Sequence, residues 1–222
     1  MQAIMEPIFE IPYLIGVVVL GILTIRRAKG EAQYTLFGAM AIVLGCGDAF
    51  HLVPRVWALW TAGTTVLPEY AAALGFGKLV TSTTMTVFYI MLYHVWQLRY
   101  QKRGTGLTAC MYILAACRIL LCLMPQNRWL SPDAPLSWGI YRNIPFVVMG
   151  LIIIVLYFQQ ARRHHDRPFR LMWLAIALSF AFYIPVVLFA DVVPMVGMMM
   201  IPKTCAYVWI VLMGFWDAGQ HN

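Results

Sequence analysis

Residues 45–55 read Gly-Cys-Gly-Asp-Ala-Phe-His-Leu-Val-Pro-Arg and end a long apolar run. Asp48, His51 and Arg55 are three and then four positions apart, so on a helix they lie on one face. A titratable side chain at membrane depth is costly and marks a functional site by default. This stretch therefore predicts a membrane-crossing helix with a polar face, for which the rest of the chain supplies partners.

The composition is that of an integral membrane protein. The 222 residues are 62% hydrophobic and 11% charged, with a mean hydropathy of +0.75, whereas soluble domains are about 25% charged. The five cysteines fall in apolar segments and are odd in number, which indicates packing residues without a disulfide framework. Glu6 and Glu10 stand where a signal peptide has basic residues, so no signal peptide is expected.

A helix needs about 20 apolar residues to cross the hydrocarbon core. Seven runs have that length, at about 8–26, 34–54, 68–97, 106–124, 138–160, 169–190 and 194–216. The connections between them are too short for a soluble domain. We therefore predict an all-α membrane protein, with one seven-helix transmembrane domain over residues 1–222.

Basic residues predict the orientation. Ten of the sixteen Lys and Arg lie in alternate connections: Arg26, Arg27, Lys29, Arg99, Lys102, Arg103, Arg162, Arg163, Arg167 and Arg170. The positive-inside rule then places the N-terminus outside and the C-terminus in the cytoplasm. This indicates a multi-pass protein of the cell membrane, the bacterial inner membrane or an equivalent one.

The basic 162–170 segment also indicates partners. It is expected to contact anionic membrane lipids, and no nucleic-acid recognition module accompanies it. The sequence therefore predicts lipid partners and no nucleic acid, and it leaves homo-oligomerisation open.

Polar residues within the predicted spans gather in the outer half of the bundle, and the inner halves carry almost none. They include Asp48, His51, Arg55, Glu69, Lys78, Arg118, Arg142, Asn143, Tyr183, Asp191 and Lys203. A buried cation needs a counter-charge or water, and Asp48 alone cannot neutralise Lys78, Arg118 and Lys203. A water-filled cavity or a bound anion is therefore expected.

We predict a ligand site at this depth. Lys78, Lys203, Arg118 and Arg142 are the expected anion contacts, with Asp48 as counter-charge and His51 as a proton-sensitive partner. Ser82 and Tyr207 follow the two lysines at i+4 and bring hydroxyl groups beside the amines; Asn143 and Tyr183 complete the set. Arg55, Arg142 and Asp191 lie close to the interface, so an alternative to a role in the ligand site is that their charged ends extend to interfacial water.

The expected function is binding, and transport, of a small anionic or polar molecule or a lipid head group. No cofactor or metal is predicted. Ile11-Pro12-Tyr13 and Ile144-Pro145-Phe146 open the first and fifth helices, and Gly77-Lys78 and Pro202-Lys203-Thr204 lie at similar depth in the third and seventh. Three helices, a linker helix and three more would form a parallel 3+1+3 repeat. This plan resembles that of sugar and vitamin carriers of the SWEET, PQ-loop and nicotinamide-riboside type, and that of microbial rhodopsins.

Two alternatives stay open. Gly47-Asp48-Ala49-Phe50-His51 resembles a Ser…Phe-His segment of alkaline ceramidases and progestin-receptor-like membrane hydrolases, which implies a lipid-modifying enzyme using His51 and Asp48. The zinc ligands of those families include a histidine pair on the last helix, which has no histidine here. Lys203 in the seventh helix and Tyr183-Ile184-Pro185 in the sixth resemble microbial rhodopsins, which implies a receptor or a retinal-binding photoreceptor with Asp48 as counter-ion.

Overall fold

The computed structural model describes residues 2–62, 70–102, 104–190 and 192–220, so Glu69 and Asp191 lie outside the described residues. Its seven helices are α1 (Gln2–Arg27), α2 (Ala32–Ala62), α3 (Ala71–Tyr100), α4 (Thr105–Leu123), α5 (Leu136–Arg163), α6 (Met172–Phe189) and α7 (Met200–Gln220). Short 3₁₀ turns at Pro125–Asn127 and Pro194–Met199 precede α5 and α7. The described ranges contain no strand, and the all-α, seven-helix prediction is confirmed.

Six of the helices in the described ranges are long and apolar enough to cross a membrane. The exception is α3, although the sequence predicts seven spans. This helix packs against α2, α4 and α5, and it buries Thr86, Tyr89 and Tyr93. A helix surrounded by other helices can carry polar residues that lipid would not tolerate. The chain is therefore an α-helical, multi-pass membrane protein, and its orientation and the 3+1+3 repeat stay predictions.

Consecutive helices pack side by side, and α1 also packs on α7, which closes the ring. Additional contacts join α3 to α5 and α2 to α7. The second helix continues through Pro54 to Ala62, beyond the predicted end at 54. Proline is tolerated in a membrane helix because neighbouring groups satisfy the freed carbonyl. The added turns carry Trp57 and Trp60, which are 61% and 66% exposed, as side chains of an interface belt are.

Helices α2 and α3 approach closely beside Asp48 and His51. A Cβ on Gly77 would overlap the carbonyl oxygen of Phe50 and the Cα of His51. The Thr81 hydroxyl donates across the same crossing to the Gly47 carbonyl at 3.0 Å. Small residues at helix crossings allow this approach in membranes. Gly77 therefore holds the polar face of α2 against α3.

An aromatic cluster fills the middle of the bundle. The ring of Tyr89 in α3 lies 4.9 Å from that of Phe146 in α5 and 5.5 Å from that of Phe180 in α6. Phe88 meets Tyr207 of α7 edge-on at 5.6 Å. These contacts connect four helices, and they separate the two ends of the bundle by a packed layer.

At the end that carries the basic connections, hereafter the basic end, one arginine joins three segments. Arg99 of α3 pairs with Asp166 of the α5–α6 connection and with Asp217 of α7. Tyr100 donates to Asp166 at 2.7 Å, and Tyr34 of α2 donates to Asp217 at 3.0 Å. We call these five residues the Arg99 clamp. Asp217 is 1% exposed. It lies one residue beyond the predicted end of the seventh span at 216, whereas α7 continues to Gln220, so this buried carboxylate is not among the charges within the predicted spans.

Because the clamp contains a paired carboxylate, the free energy of unfolding is expected to depend on pH. Burial alone raises the pKa of Asp166, but the hydrogen bonds and positive charge of Arg99 outweigh burial and leave this pKa below its usual value. A carboxyl whose pKa is lowered on folding stabilises the fold above its unfolded pKa of about 3.9. That contribution is lost as the pH falls from there through the folded pKa.

We expect Gly77→Ala to destabilise the protein by about 1–3 kcal/mol, because the methyl group forces α2 and α3 apart. A Cβ on Gly16 of α1 would meet nothing within 4 Å, so Gly16→Ala is the matched control and should be neutral or slightly stabilising. Thermal unfolding in detergent micelles measures both. Equal melting temperatures for the two variants would contradict the close crossing.

We expect Asp166→Asn to lower stability by about 1.5–3 kcal/mol at neutral pH, because it weakens hydrogen bonds to a charged partner. The variant should also lose part of the acid-induced destabilisation seen in the wild type below about pH 4. Thermal unfolding between neutral and acidic pH measures both effects. Asp133→Asn, at an exposed position in the α4–α5 connection, is the control; an Asp166→Asn curve that parallels it refutes the clamp.

Candidate functional site

The end opposite the basic end contains a buried arginine, Arg118. It lies on the buried face of α4 with Met111, Ala115 and Cys122, spaced as one side of a helix. Its side chain is 2% exposed, and the guanidinium carbon stands 3.4 Å from the centre of the Phe146 ring. Its Nε and Nη1 atoms are buried without a hydrogen-bond partner among the described residues. Stacking on a ring offsets part of the cost of this burial, but two donors stay unsatisfied.

Lys203 of α7 is the second buried cation, with 7% of its surface exposed. Its amine lies 4.9 Å from the centre of the Tyr183 ring and 5.4 Å from that of Tyr207. Arg118 and Lys203 repel each other electrostatically, and Asp48 attracts Lys203. The structure therefore brings α4, α6 and α7 together around two like charges.

Asp48 is the counter-charge in this group. It is half-buried on α2 and accepts a hydrogen bond of 2.7 Å from the hydroxyl of Tyr13 in α1. This bond occupies part of its capacity to accept. Tyr13 itself is 5% exposed, so α1 contributes to the site through a residue that the sequence singled out only for the repeat.

At the same end, Arg142 of α5 contacts the α4–α5 connection. It donates to Asn127 at 2.9 Å and stacks over the ring of Trp129 at 4.3 Å. The amide nitrogen of Asn127 in turn donates to the Leu121 and Met124 carbonyls at the end of α4, at 2.7 and 2.9 Å. The positive charges of Arg142 and Arg118 repel each other. It is therefore a partnered cation at the rim, whereas Arg118 lies deeper.

Hydroxyl and amide groups surround the two buried cations. Tyr183 donates to the Asn143 side-chain oxygen at 2.9 Å. The Tyr89 hydroxyl lies 3.3 Å from that of Ser179 and 3.5 Å from that of Tyr207. We define the cation layer as Arg118, Lys203, Arg142 and Asp48 with the side chains of Asn143, Tyr183 and Tyr207. Seven of the ten predicted site residues thus come together, from α2, α4, α5, α6 and α7.

The other three predicted residues lie on the α2–α3 side. His51 donates through Nδ1 to the carbonyl of Leu74 at 3.2 Å, which leaves Nε2 as the nitrogen that can accept a proton. Lys78 is exposed, and Ser82 is half-buried. His51 interacts electrostatically with both Lys78 and Lys203, so this face adjoins the cation layer. Asp48 and His51 have different hydrogen-bond partners, Tyr13 and Leu74, rather than each other.

Three residues that contact the cation layer were not predicted as site residues from the sequence. Tyr13, Asn127 and Phe146 each touch a charged side chain of the cation layer. A buried tyrosine normally needs a hydrogen-bond partner, which is the one signal that Tyr13 offers. Phe146 offers none, because a phenylalanine next to proline in an apolar run is typical of packing.

Two surface cavities are lined by none of the residues of the cation layer. One, of about 280 Å³, is an apolar groove between α1 and α2 that is lined by residues such as Ile11, Val53 and Trp57. The other, of about 330 Å³, lies at the basic end beside α7. Neither cavity is lined by Arg118 or Lys203, which are 2% and 7% exposed.

No family model matches this chain, and no curated protein or solved structure matches it either. The geometry of the cation layer is therefore the basis for assigning a function.

Proposed function

We propose that this membrane protein binds, and carries across the membrane, a small oxyanion that sits among Arg118, Lys203 and the tyrosines of the cation layer. The observation that carries the proposal is the buried guanidinium of Arg118, whose Nε and Nη1 have no partner among the described residues. An unsatisfied buried donor costs about 1–3 kcal/mol, and more when it is charged.

The charges favour an anion as the missing partner. Arg118 makes no ion pair with a described carboxylate, and the negative charge acting on Lys203 is that of Asp48, which also accepts from Tyr13. A bound anion would satisfy the free guanidinium donors and remove the repulsion between Arg118 and Lys203 at the same time. Asp48 would remain to balance Lys203.

The side chains also favour a class of anion. A planar guanidinium presents paired donors that match a carboxylate or phosphate, and an ammonium group adds a mobile point charge. The hydroxyls of Tyr183 and Tyr207 add polar contacts, while the ring of Phe146 supplies an apolar wall. We therefore propose a compact carboxylate or phosphate compound, with an aromatic or other apolar part against the rings.

Transport fits the arrangement of the two ends. A carrier must close one end of its site while the other opens. The Arg99 clamp ties α2, α3, α7 and the α5–α6 connection together at the basic end, and the aromatic cluster packs against the cation layer, with which it shares Tyr207. We propose that the clamp is the closed gate and that the α4–α5 connection, held by Arg142 and Asn127, is the opening one.

Anion binding is tested by thermal unfolding in neutral detergent with inorganic phosphate, sulfate or benzoate at constant ionic strength. At least one anion should stabilise the wild type, by about 2.7 kcal/mol at one hundred times its Kd. Arg118→Met and Lys203→Met should weaken that binding at least about thirtyfold, as removal of a buried charge partner does. Arg128→Gln, at an exposed arginine of the same end, should bind normally.

The same variants separate binding from a structural role. Without anion, Arg118→Met should be more stable than the wild type, by about 1–4 kcal/mol, because it removes an uncompensated buried charge. A lower melting temperature for Arg118→Met, together with no anion effect on the wild type, refutes the proposal. Exchange of the stabilising anion, radiolabelled, across proteoliposomes then tests carriage.

A further inference from the structure

The cavity of about 330 Å³ at the basic end belongs to a different surface from the cation layer. It lies between the α5–α6 connection and the last turns of α7. Its wall includes Arg167, Arg170, Leu171, Trp209, Met213 and Trp216. We call it the basic groove.

One wall of the groove is cationic and free to bind. Arg167 and Arg170 are both exposed, and neither guanidinium makes a hydrogen bond or ion pair among the described residues. The acid in the wall, Asp217, is occupied by Arg99 and by Tyr34 of the clamp. Its charge is therefore compensated inside the protein, and the groove presents the charge of the two arginines.

The other wall is apolar. Met213 is 6% exposed and forms the floor, whereas Trp216 is 56% exposed at the outer edge. Tryptophan is enriched where a membrane protein meets the head groups. The groove thus places two free arginines beside an apolar channel at the level of the membrane surface.

We propose that the basic groove binds an anionic glycerophospholipid, with its phosphate between Arg167 and Arg170 and the start of an acyl chain along Met213 and Trp216. Basic pockets at the ends of transmembrane helices recognise anionic head groups in this way. The volume, about 330 Å³, is at the lower end of the range for small-molecule sites, which suits a head group and the first part of a chain. The apolar channel favours a lipid over free phosphate.

The test measures binding of phosphatidylglycerol to the purified full chain in neutral detergent, by native mass spectrometry, with phosphatidylcholine of the same acyl chains as reference. We expect preference for phosphatidylglycerol. Arg167→Gln/Arg170→Gln should weaken its binding about thirtyfold, because each basic residue contributes about a factor of five. Arg162→Gln/Arg163→Gln removes the same charge from exposed positions outside the groove and should leave binding unchanged.

Equal losses in the two double variants, or no loss in either, overturn the proposal. Displacement of the lipid by an equal concentration of glycerol 3-phosphate overturns the lipid assignment in favour of a soluble phosphate. A second measurement needs no arginine variant. Brominated phosphatidylglycerol should quench the tryptophan fluorescence of the wild type more than brominated phosphatidylcholine does, and Trp216→Phe should reduce that difference; equal quenching by the two lipids contradicts the site.

Discussion

A positive charge kept from water and left without a full complement of partners dominates one half of this bundle. Transfer of a charged group into an apolar interior costs several kcal/mol even after relaxation. Arg118 meets that cost in part by stacking on Phe146, and Lys203 does so through Asp48 and two tyrosine rings. The helices that supply these partners, α2, α5, α6 and α7, must therefore meet at one depth.

Buried charges are paired within the protein at the basic end and incompletely paired at the other end. One buried face of α7 carries a residue of each kind. Lys203 and Asp217 lie on that face, about 21 Å apart at 1.5 Å per residue. Asp217 pairs with an arginine and accepts from a tyrosine, so this buried carboxylate has its partners within the protein. Lys203 shares its region with an arginine that lacks partners. A buried polar group with its partners rigidifies a structure, whereas one without them is costly.

Helix number and the depth of the charged residues could be predicted from the sequence, because apolar length and the spacing of basic residues are local properties. The grouping of Arg118, Lys203 and Tyr183 also follows from depth alone. Contacts across the bundle could not be predicted in this way. The positive-inside rule explains Arg99 as a topological signal and gives no hint that it binds Asp166 and Asp217. Depth cannot distinguish a buried Lys203 from an exposed Lys78, because the direction of a side chain depends on how its helix is rotated.

The Tyr34–Asp217 hydrogen bond joins residues 183 positions apart, and the Arg99–Asp217 pair joins residues 118 apart. During biosynthesis, neither contact can form before α7 has left the ribosome and entered the bilayer. Until then, Tyr34 and Arg99 face a gap where the last helix will dock. Completion of the basic end is thus a late event of assembly, and an intermediate without α7 would expose polar groups that cellular quality control can recognise.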